Sequence, residues 1–239
     1  MNVCMAHRGW SGKAPENTMT AIRLALAEPA IQGIEVDVQL SRDGVPILMH
    51  DFTLERTTNG TGLVKDHTLE ELRKVDAGSW MNERFAGERI PTLEEALLAV
   101  KGRCTLNIEL KATLEMYPGL AEKVLELLEK HEMKDQVYMT SFDHELIRHV
   151  RTLDASVQTG LIVLGRPVLV MEQLQAAGAN VLSMEYRYLT QEFACSVIEQ
   201  GYKVIAWTID DADAIRTVMS WHPDLQVCTN HPDRMLEYM

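Results

Sequence analysis

The sequence predicts a (β/α)8 TIM barrel with a short insertion after a hairpin at the second strand. Three observations predict it. From residue 105 onward, short strand-like runs alternate with amphipathic helices, the pattern of a parallel sheet. With the segments before residue 105 there are about eight such units, and 239 residues suit a closed barrel of that size. An open doubly wound sheet would carry a Gly-rich fingerprint after its first strand, and His7-Arg8-Gly9-Trp10-Ser11-Gly12 is not one. No linker or low-complexity stretch interrupts the chain, so residues 1–239 are expected to form a single domain.

Residues 3–7 read as the first strand. Glu16-Asn17-Thr18 opens a helix, with Asn17 or Thr18 as N-cap, and the helix stops near Pro29. Residues 34–51 read as a strand, a turn at Asp43-Gly44 and a returning strand. The period of two puts Glu35 and Asp37 on one face and Ile34, Val36 and Val38 on the other. A tight turn lays His50 beside Asp37; a turn two residues longer lays it beside Glu35.

The stretch 52–90 is the one long irregular insertion, with a capping box at Thr68-Leu69-Glu70-Glu71. Such a loop is expected to be a lid or a binding loop. Pro91-Thr92-Leu93-Glu94-Glu95 opens the next helix, which closes at Gly102. Strands then follow at 105–111, 136–141, 157–164, 180–184, 203–209 and 226–229. Helices alternate with them at 120–131, from the cap Asp143 to Leu153, and at 167–177, 190–200 and 211–220. A short last helix follows Pro232.

The formal net charge of −12 argues against nucleic acid or an anionic membrane surface as the main partner. An anionic substrate would need a local positive site. No signal peptide is read at the N-terminus, and no window approaches the ~18 apolar residues of a membrane span. Cys4, Cys104, Cys195 and Cys228 form no C-x-x-C pair, so reduced thiols and a cytoplasmic protein are expected.

Barrel enzymes carry their chemistry at the C-terminal ends of the strands. His7 and Arg8 end the first strand, Glu35 and Asp37 lie in the second, and His50 closes the hairpin. Glu109 and Lys111 share a face at the end of the next barrel strand, and Trp207 is late in the seventh. Ser141 and Glu185 stand at the rim, equally suited to structure or to support of the site.

Glu35, Asp37 and Glu109 make an oxygen-ligand set for one divalent cation, and Mg²⁺, Ca²⁺ or Mn²⁺ fits. His7 and His50 suit proton transfer near neutral pH. Arg8 and Lys111 suit a phosphate, the first as a fork of donors and the second as a point charge. Each has a plainer reading. Arg8 could be an ion-pair partner of Glu35 or Asp37, Lys111 one of Glu109, and Trp207 part of the core.

These residues carry a resemblance. His7-Arg8-Gly9, Pro15-Glu16-Asn17-Thr18, Glu35-x-Asp37, His50-Asp51, Arg56-Thr57-Thr58 and Glu109-Leu110-Lys111 resemble the glycerophosphodiester phosphodiesterase family. Ile90-Pro91-Thr92-Leu93-Glu94, Ser141-Phe142 and Trp207-Thr208 resemble its later motifs. The resemblance implies a β/α barrel that cleaves glycerophosphodiesters to glycerol 3-phosphate and an alcohol. It implies His7 and His50 as the acid/base pair, and Glu35, Asp37 and Glu109 as metal ligands. It implies Arg8 and Lys111 as phosphate contacts and favours Trp207 as a wall of the glycerol pocket. One departure is visible: the family commonly has Thr-Asp-x-Pro after its last strand, where this chain has Thr229-Asn230-His231-Pro232.

Three other readings stand beside this one. A glycosidase could pair Glu35 with Glu109 but would leave His7, His50, Arg8 and Lys111 without a role. A sensor that binds glycerophosphodiesters without cleaving them needs no second histidine. Lysophospholipids are an alternative substrate class, which a long apolar channel around the insertion would favour; the sequence itself shows no such channel.

Overall fold

The computed structural model describes residues 2–111, 113 and 115–239. Eight parallel strands close into a barrel: β1 (Val3–Ala6), β2 (Gly33–Leu40), β4 (Thr105–Leu110), β5 (Val137–Ser141), β6 (Gln158–Val163), β7 (Val181–Glu185), β8 (Lys203–Trp207) and β9 (Gln226–Thr229). Closure comes from β1, which pairs with β9 on one side and β2 on the other. Strand β3 (Pro46–Leu48) returns antiparallel on β2.

Helices α1 (Met19–Leu26), α3 (Leu93–Val100), α4 (Leu120–Lys130) and α5 (His144–Leu153) cover the outside. So do α6 (Val170–Ala177), α7 (Gln191–Glu199), α8 (Ala212–Met219) and α9 (Pro232–Leu236), while the four-residue α2 (Leu69–Leu72) lies in the insertion. Several helices start where short polar residues can accept a free backbone N–H. Thr18 accepts from Ala21, and Asp143 accepts from Glu145 and Leu146. Thr92 and Glu95 form a complete capping box, as do Thr68 and Glu71. Each such cap contributes about 1 kcal/mol.

Strand β2 explains the buried carboxylates. All of its residues are buried, because helices cover one face and the barrel interior the other. Ile34, Val36 and Val38 join Ile22, Leu93 and Leu97 in the outer core. The opposite face carries Glu35 and Asp37 inward. Below them the interior is filled by Met5, Tyr138, Val181, Ile205 and Cys228.

The hairpin register differs from both sequence alternatives. Val38 pairs with Leu48 and Leu40 with Pro46, so Asp37 faces Met49, whose N–H donates to its carbonyl at 3.0 Å. The cause is a three-residue turn: Ser41 N–H donates to Val45 O at 3.0 Å, and Gly44 takes φ 75°. His50 reaches the barrel mouth because the chain bends after β3, not because it pairs with a carboxylate across the ladder.

The insertion is packed on a small core of its own: Ile47, Met49, Leu54, Val64, Leu72, Ala77 and Ile90. Asp76 pins its far end by accepting the N–H groups of Gly78, Ser79 and Gly87. Among the described residues, no helix is long and apolar enough to cross a membrane.

All four cysteines are free, and Cys4, Cys104 and Cys228 are buried. Four titratable thiols are therefore expected in the denatured, unreduced protein; a count below four would contradict this.

Candidate active site

Strand ends and the loops after them assemble a cavity of about 110 Å³ at the C-terminal mouth of the barrel. His7, Arg8, Glu35, His50, Glu109, Lys111 and Trp207 all line it. Asp37 lies just behind, with Oδ2 3.1 Å from Arg8 Nε as an ion pair rather than an aligned hydrogen bond. The structure thus brings together every residue singled out for the site.

The loop after β1 is shaped by two left-handed residues, Arg8 at φ 55° and Gly9 at φ 76°. A Cβ at Gly9 would sit 2.7 Å from the backbone of Ala21, so only glycine lets α1 approach this closely. That approach turns the Arg8 backbone N–H onto Glu35 Oε2 at 2.9 Å and its guanidinium onto Glu16 Oε1 at 2.7 Å.

One ligand atom from each of Glu35, Asp37 and Glu109 lies within 4.8 Å of the others. Two cations stand among them but do not balance them. Lys111 Nζ is 2.8 Å from Glu109 Oε1 and 3.8 Å from Asp37 Oδ1, and Arg8 is shared with Glu16. Glu35 Oε1 and Asp37 Oδ1 are buried without a hydrogen-bond partner. Orphaned carboxylate oxygens are costly unless a charge meets them, so the cluster fits a hard divalent cation.

The electrostatics follow. Burial, then the charges of Asp37 and Glu109, push Glu35 well above the usual carboxylate range. Burial, then Asp37, pushes Glu109 up to about 7. Burial also works against ionised Asp37, but Arg8 and Lys111 outweigh it and hold that carboxyl low. The cluster therefore needs more positive charge than the protein supplies.

Each histidine has a partner at Nδ1. His50 Nδ1 lies 2.6 Å from Asp51 Oδ1. Asp51 and Glu16 are bridged by Arg56, whose Nε and Nη2 meet Asp51 at 2.6 and 2.9 Å and whose Nη groups meet Glu16 at 2.9 and 2.7 Å. His7 Nδ1 lies 2.7 Å from Asn230 Oδ1, and its Nε2 is 3.8 Å from Glu35 Oε2. Burial, then the charge of Arg8, lowers His7 to about 4, and burial first of all also lowers His50.

Sequence reasoning missed several supports. Asn17 is not the cap but sits at φ 56°, donating Nδ2 to Asp37 Oδ2 at 2.8 Å and accepting the Asp37 N–H at 3.1 Å. Asn230, in the loop that departs from the family pattern, touches His7 directly. Phe142 stands edge-on to Trp207 at 5.8 Å and under Lys111 Nζ at 5.7 Å. Ser141 serves structure, its hydroxyl donating to Leu110 O at 2.9 Å. Glu185 is paired with Arg187 at 2.6 Å.

Residues 7–234 match the glycerophosphoryl diester phosphodiesterase family. A glycerophosphodiester phosphodiesterase of Caldanaerobacter subterraneus subsp. tengcongensis is 36% identical over 233 residues, 97% of this chain and 95% of that protein. One from Bacillus altitudinis is 34% identical over 242 residues, covering 99% and 98%. Among solved structures, a phosphodiesterase of Oleispira antarctica in complex with the product sn-glycerol-3-phosphate superposes with a TM-score of 0.92. Its identity is 31%, over 99% of this chain and 96% of that one. With a barrel of the same shape and a family match that runs from His7, just past β1, through the mouth and every later strand, this chain belongs to the glycerophosphoryl diester phosphodiesterase family.

Proposed function

We propose that this enzyme hydrolyses glycerophosphodiesters to glycerol 3-phosphate and an alcohol, with one divalent cation on Glu35, Asp37 and Glu109 and with His7 and His50 as acid and base. The observation that carries it is the single cavity that both histidines, Arg8 and Lys111 share with a three-carboxylate cluster holding orphaned oxygens. Product bound to the Oleispira antarctica neighbour supports the substrate class. Mg²⁺, Ca²⁺ or Mn²⁺ would supply Lewis-acid charge for the phosphate and the attacking oxygen.

Arg8 and Lys111 face the phosphate oxygens. The histidine partners differ in charge, and this divides the labour. Asp51 is a carboxylate that stabilises an imidazolium at His50, which suits the acid that protonates the leaving alcohol. Asn230 is a neutral amide, which suits a neutral His7 as the base. The glycerol hydroxyl next to the phosphoester attacks first, losing its proton to His7, and a cyclic phosphate forms. Water then opens it, giving a proton to His50 while His7 returns one to the hydroxyl, so both rings end as they began. Proximity favours this route and can be worth on the order of 7–11 kcal/mol.

Incubation with glycerophosphocholine is expected to release glycerol 3-phosphate. Binding without release would make the protein a sensor. An analogue lacking only the neighbouring hydroxyl is expected to turn over more than about tenfold slower at saturation, roughly 1.4 kcal/mol of barrier. Turnover closer to the parent would mean that water attacks directly.

A second substrate class has one observation in its favour. An apolar groove of about 540 Å³, lined by Phe52, Leu110, Met116 and Phe142, opens beside Glu109 and Lys111. It offers room for the acyl chain of a lysophospholipid, and turnover of lysophosphatidylcholine against glycerophosphocholine tests it. The buried free thiols support a cytoplasmic location.

A further inference from the structure

His7 stands at the end of β1, and its backbone N–H donates to Thr229 O of the neighbouring β9 at 2.9 Å. This pairing brings Asn230 against the imidazole, with Oδ1 2.7 Å from Nδ1. Asn230 is in turn held by Asp210, which follows β8. Its side-chain Nδ2 donates to Asp210 Oδ2 at 2.7 Å, and its backbone N–H to Oδ1 at 2.8 Å. Thr229 Oγ1 adds a third donor to Oδ1 at 3.0 Å.

An asparagine amide can be placed either way round in a structure, and here the chemistry decides. Burial works against an ionised Asp210, but the donors from Asn230 and Thr229 outweigh it and hold this carboxyl below its usual range. It is therefore an acceptor only. The NH2 of Asn230 must face Asp210, and Oδ1 must face His7. An acceptor opposite Nδ1 requires a proton on Nδ1. The hydroxyl of Ser11, 2.6 Å from the same Oδ1 and 2.7 Å from His7 O, meets acceptors at both places and does not alter this.

We propose that Asp210 and Asn230 form a positioning relay that fixes the neutral tautomer of His7, with the proton on Nδ1 and the lone pair of Nε2 open to the cavity. The proposal rests on the acid/base role of His7. In the other tautomer Nε2 would already carry a hydrogen and could take no proton from the attacking oxygen. The relay works by hydrogen-bond polarity alone: an ionised acceptor at one end sets the direction of an amide, and the amide sets the ring. Asp210 and Asn230 need touch no substrate.

Polarity can be swapped without changing shape. In Asp210→Asn, the backbone N–H of Asn230 and the Thr229 hydroxyl keep the new amide's oxygen in the place of Oδ1, so its NH2 takes the place of Oδ2 and Asn230 must turn its own oxygen to it and its NH2 toward His7. In the double variant Asp210→Asn/Asn230→Asp, the new amide donates to the new carboxylate, which again accepts from Nδ1. Two readouts on the full-length, cation-loaded protein test this: ¹⁵N shifts of the His7 ring in histidine-labelled enzyme, and kcat against KM for glycerophosphocholine. Wild type and double variant are expected to show the Nδ1–H tautomer. Asp210→Asn is expected to move the ring to the Nε2–H tautomer and to lose at least about tenfold in kcat with KM within about twofold. The new carboxylate also favours an imidazolium at His7, so the double variant is expected to recover to within about threefold of wild type at the optimum of its own pH profile, which lies at higher pH.

A wild-type ring protonated at Nε2 would overturn the relay. So would Asp210→Asn with unchanged tautomer and kcat, or a loss in Asp210→Asn that the double swap does not recover. The ring spectrum is independent of turnover. A His7→Asn variant that keeps its rate would instead overturn the acid/base role while the spectrum still judges the tautomer.

Discussion

His7→Asn and His50→Asn are each expected to lower kcat at least about a hundredfold, because positioned proton transfer contributes on the order of 10²–10⁴. Asparagine keeps a polar amide near the position of Nδ1, so contact with Asn230 or Asp51 can persist. What it lacks is a group that gains or loses a proton near neutral pH. The two losses should not multiply in the double variant, since the rings act in one cycle and removing either breaks it. Before mutation, the pH profile of kcat/KM should be bell-shaped, with one ring neutral while the other is protonated. The measurement is kcat on glycerophosphocholine beside thermal unfolding and cation binding. A variant that keeps its Tm and more than a few per cent of the rate would remove that residue from the acid/base role.

Much of this site was legible because a strand has a period of two. Alternation puts Ile34, Val36 and Val38 on one face and Glu35 and Asp37 on the other, and in the structure the helices cover the apolar face, so both carboxylates point into the barrel. The same parity places Glu109 and Lys111 together at the end of β4, where they meet at 2.8 Å. Helix starts were legible for a similar reason. Asp143, Thr92 and Thr190 each precede an apolar run, and each caps a helix.

The rest depended on backbone states and long-range pairings. Asp43-Gly44 is compatible with more than one turn, and one residue of difference in the loop changes what His50 faces. Asn17 was a fair cap candidate, because a short polar side chain can accept an N–H anywhere. Its left-handed backbone turns it to Asp37 and leaves the cap to Thr18. The helix expected from Pro167 begins only at Val170, because Leu169 takes φ 59°, outside the helical region. Arg56 and Glu16 lie 40 positions apart, and no local pattern joins them. Asn230 lies 223 positions from His7, and only the pairing of β9 with β1 brings the two together.

Removal of divalent cations is expected to abolish turnover and to reverse the usual effect of mild alkali on this fold. In the metal-free protein Glu109 is raised to about 7 and Glu35 is raised well above the ordinary value, both chiefly by burial. In the unfolded chain a glutamate titrates near ~4.3. Between these limits the folded state holds protons that the unfolded state has released, so stability falls as pH rises. A shift of this size at Glu109 corresponds to roughly 4 kcal/mol, lost progressively up to about pH 7, and Glu35 acts in the same direction.

Asp37 has the opposite sign, but its gain is complete once the unfolded carboxyl ionises near pH ~4. His7 and His50, lowered by burial, also oppose the glutamates, but only below about pH 6.5, where the unfolded rings bind protons. The decisive comparison is therefore chelated wild type against chelated Glu109→Gln, which keeps the volume and removes the charge. Wild-type Tm should fall relative to the variant between pH 5 and pH 8. Saturating Mg²⁺, Ca²⁺ or Mn²⁺ should raise wild-type Tm more at pH 8, where the carboxylates are ionised and mutually repelling, and should raise the variant less. Parallel Tm curves for the two chelated proteins would mean that Glu109 is not held protonated by the cluster, and full activity after exhaustive chelation would end the case for a cation there.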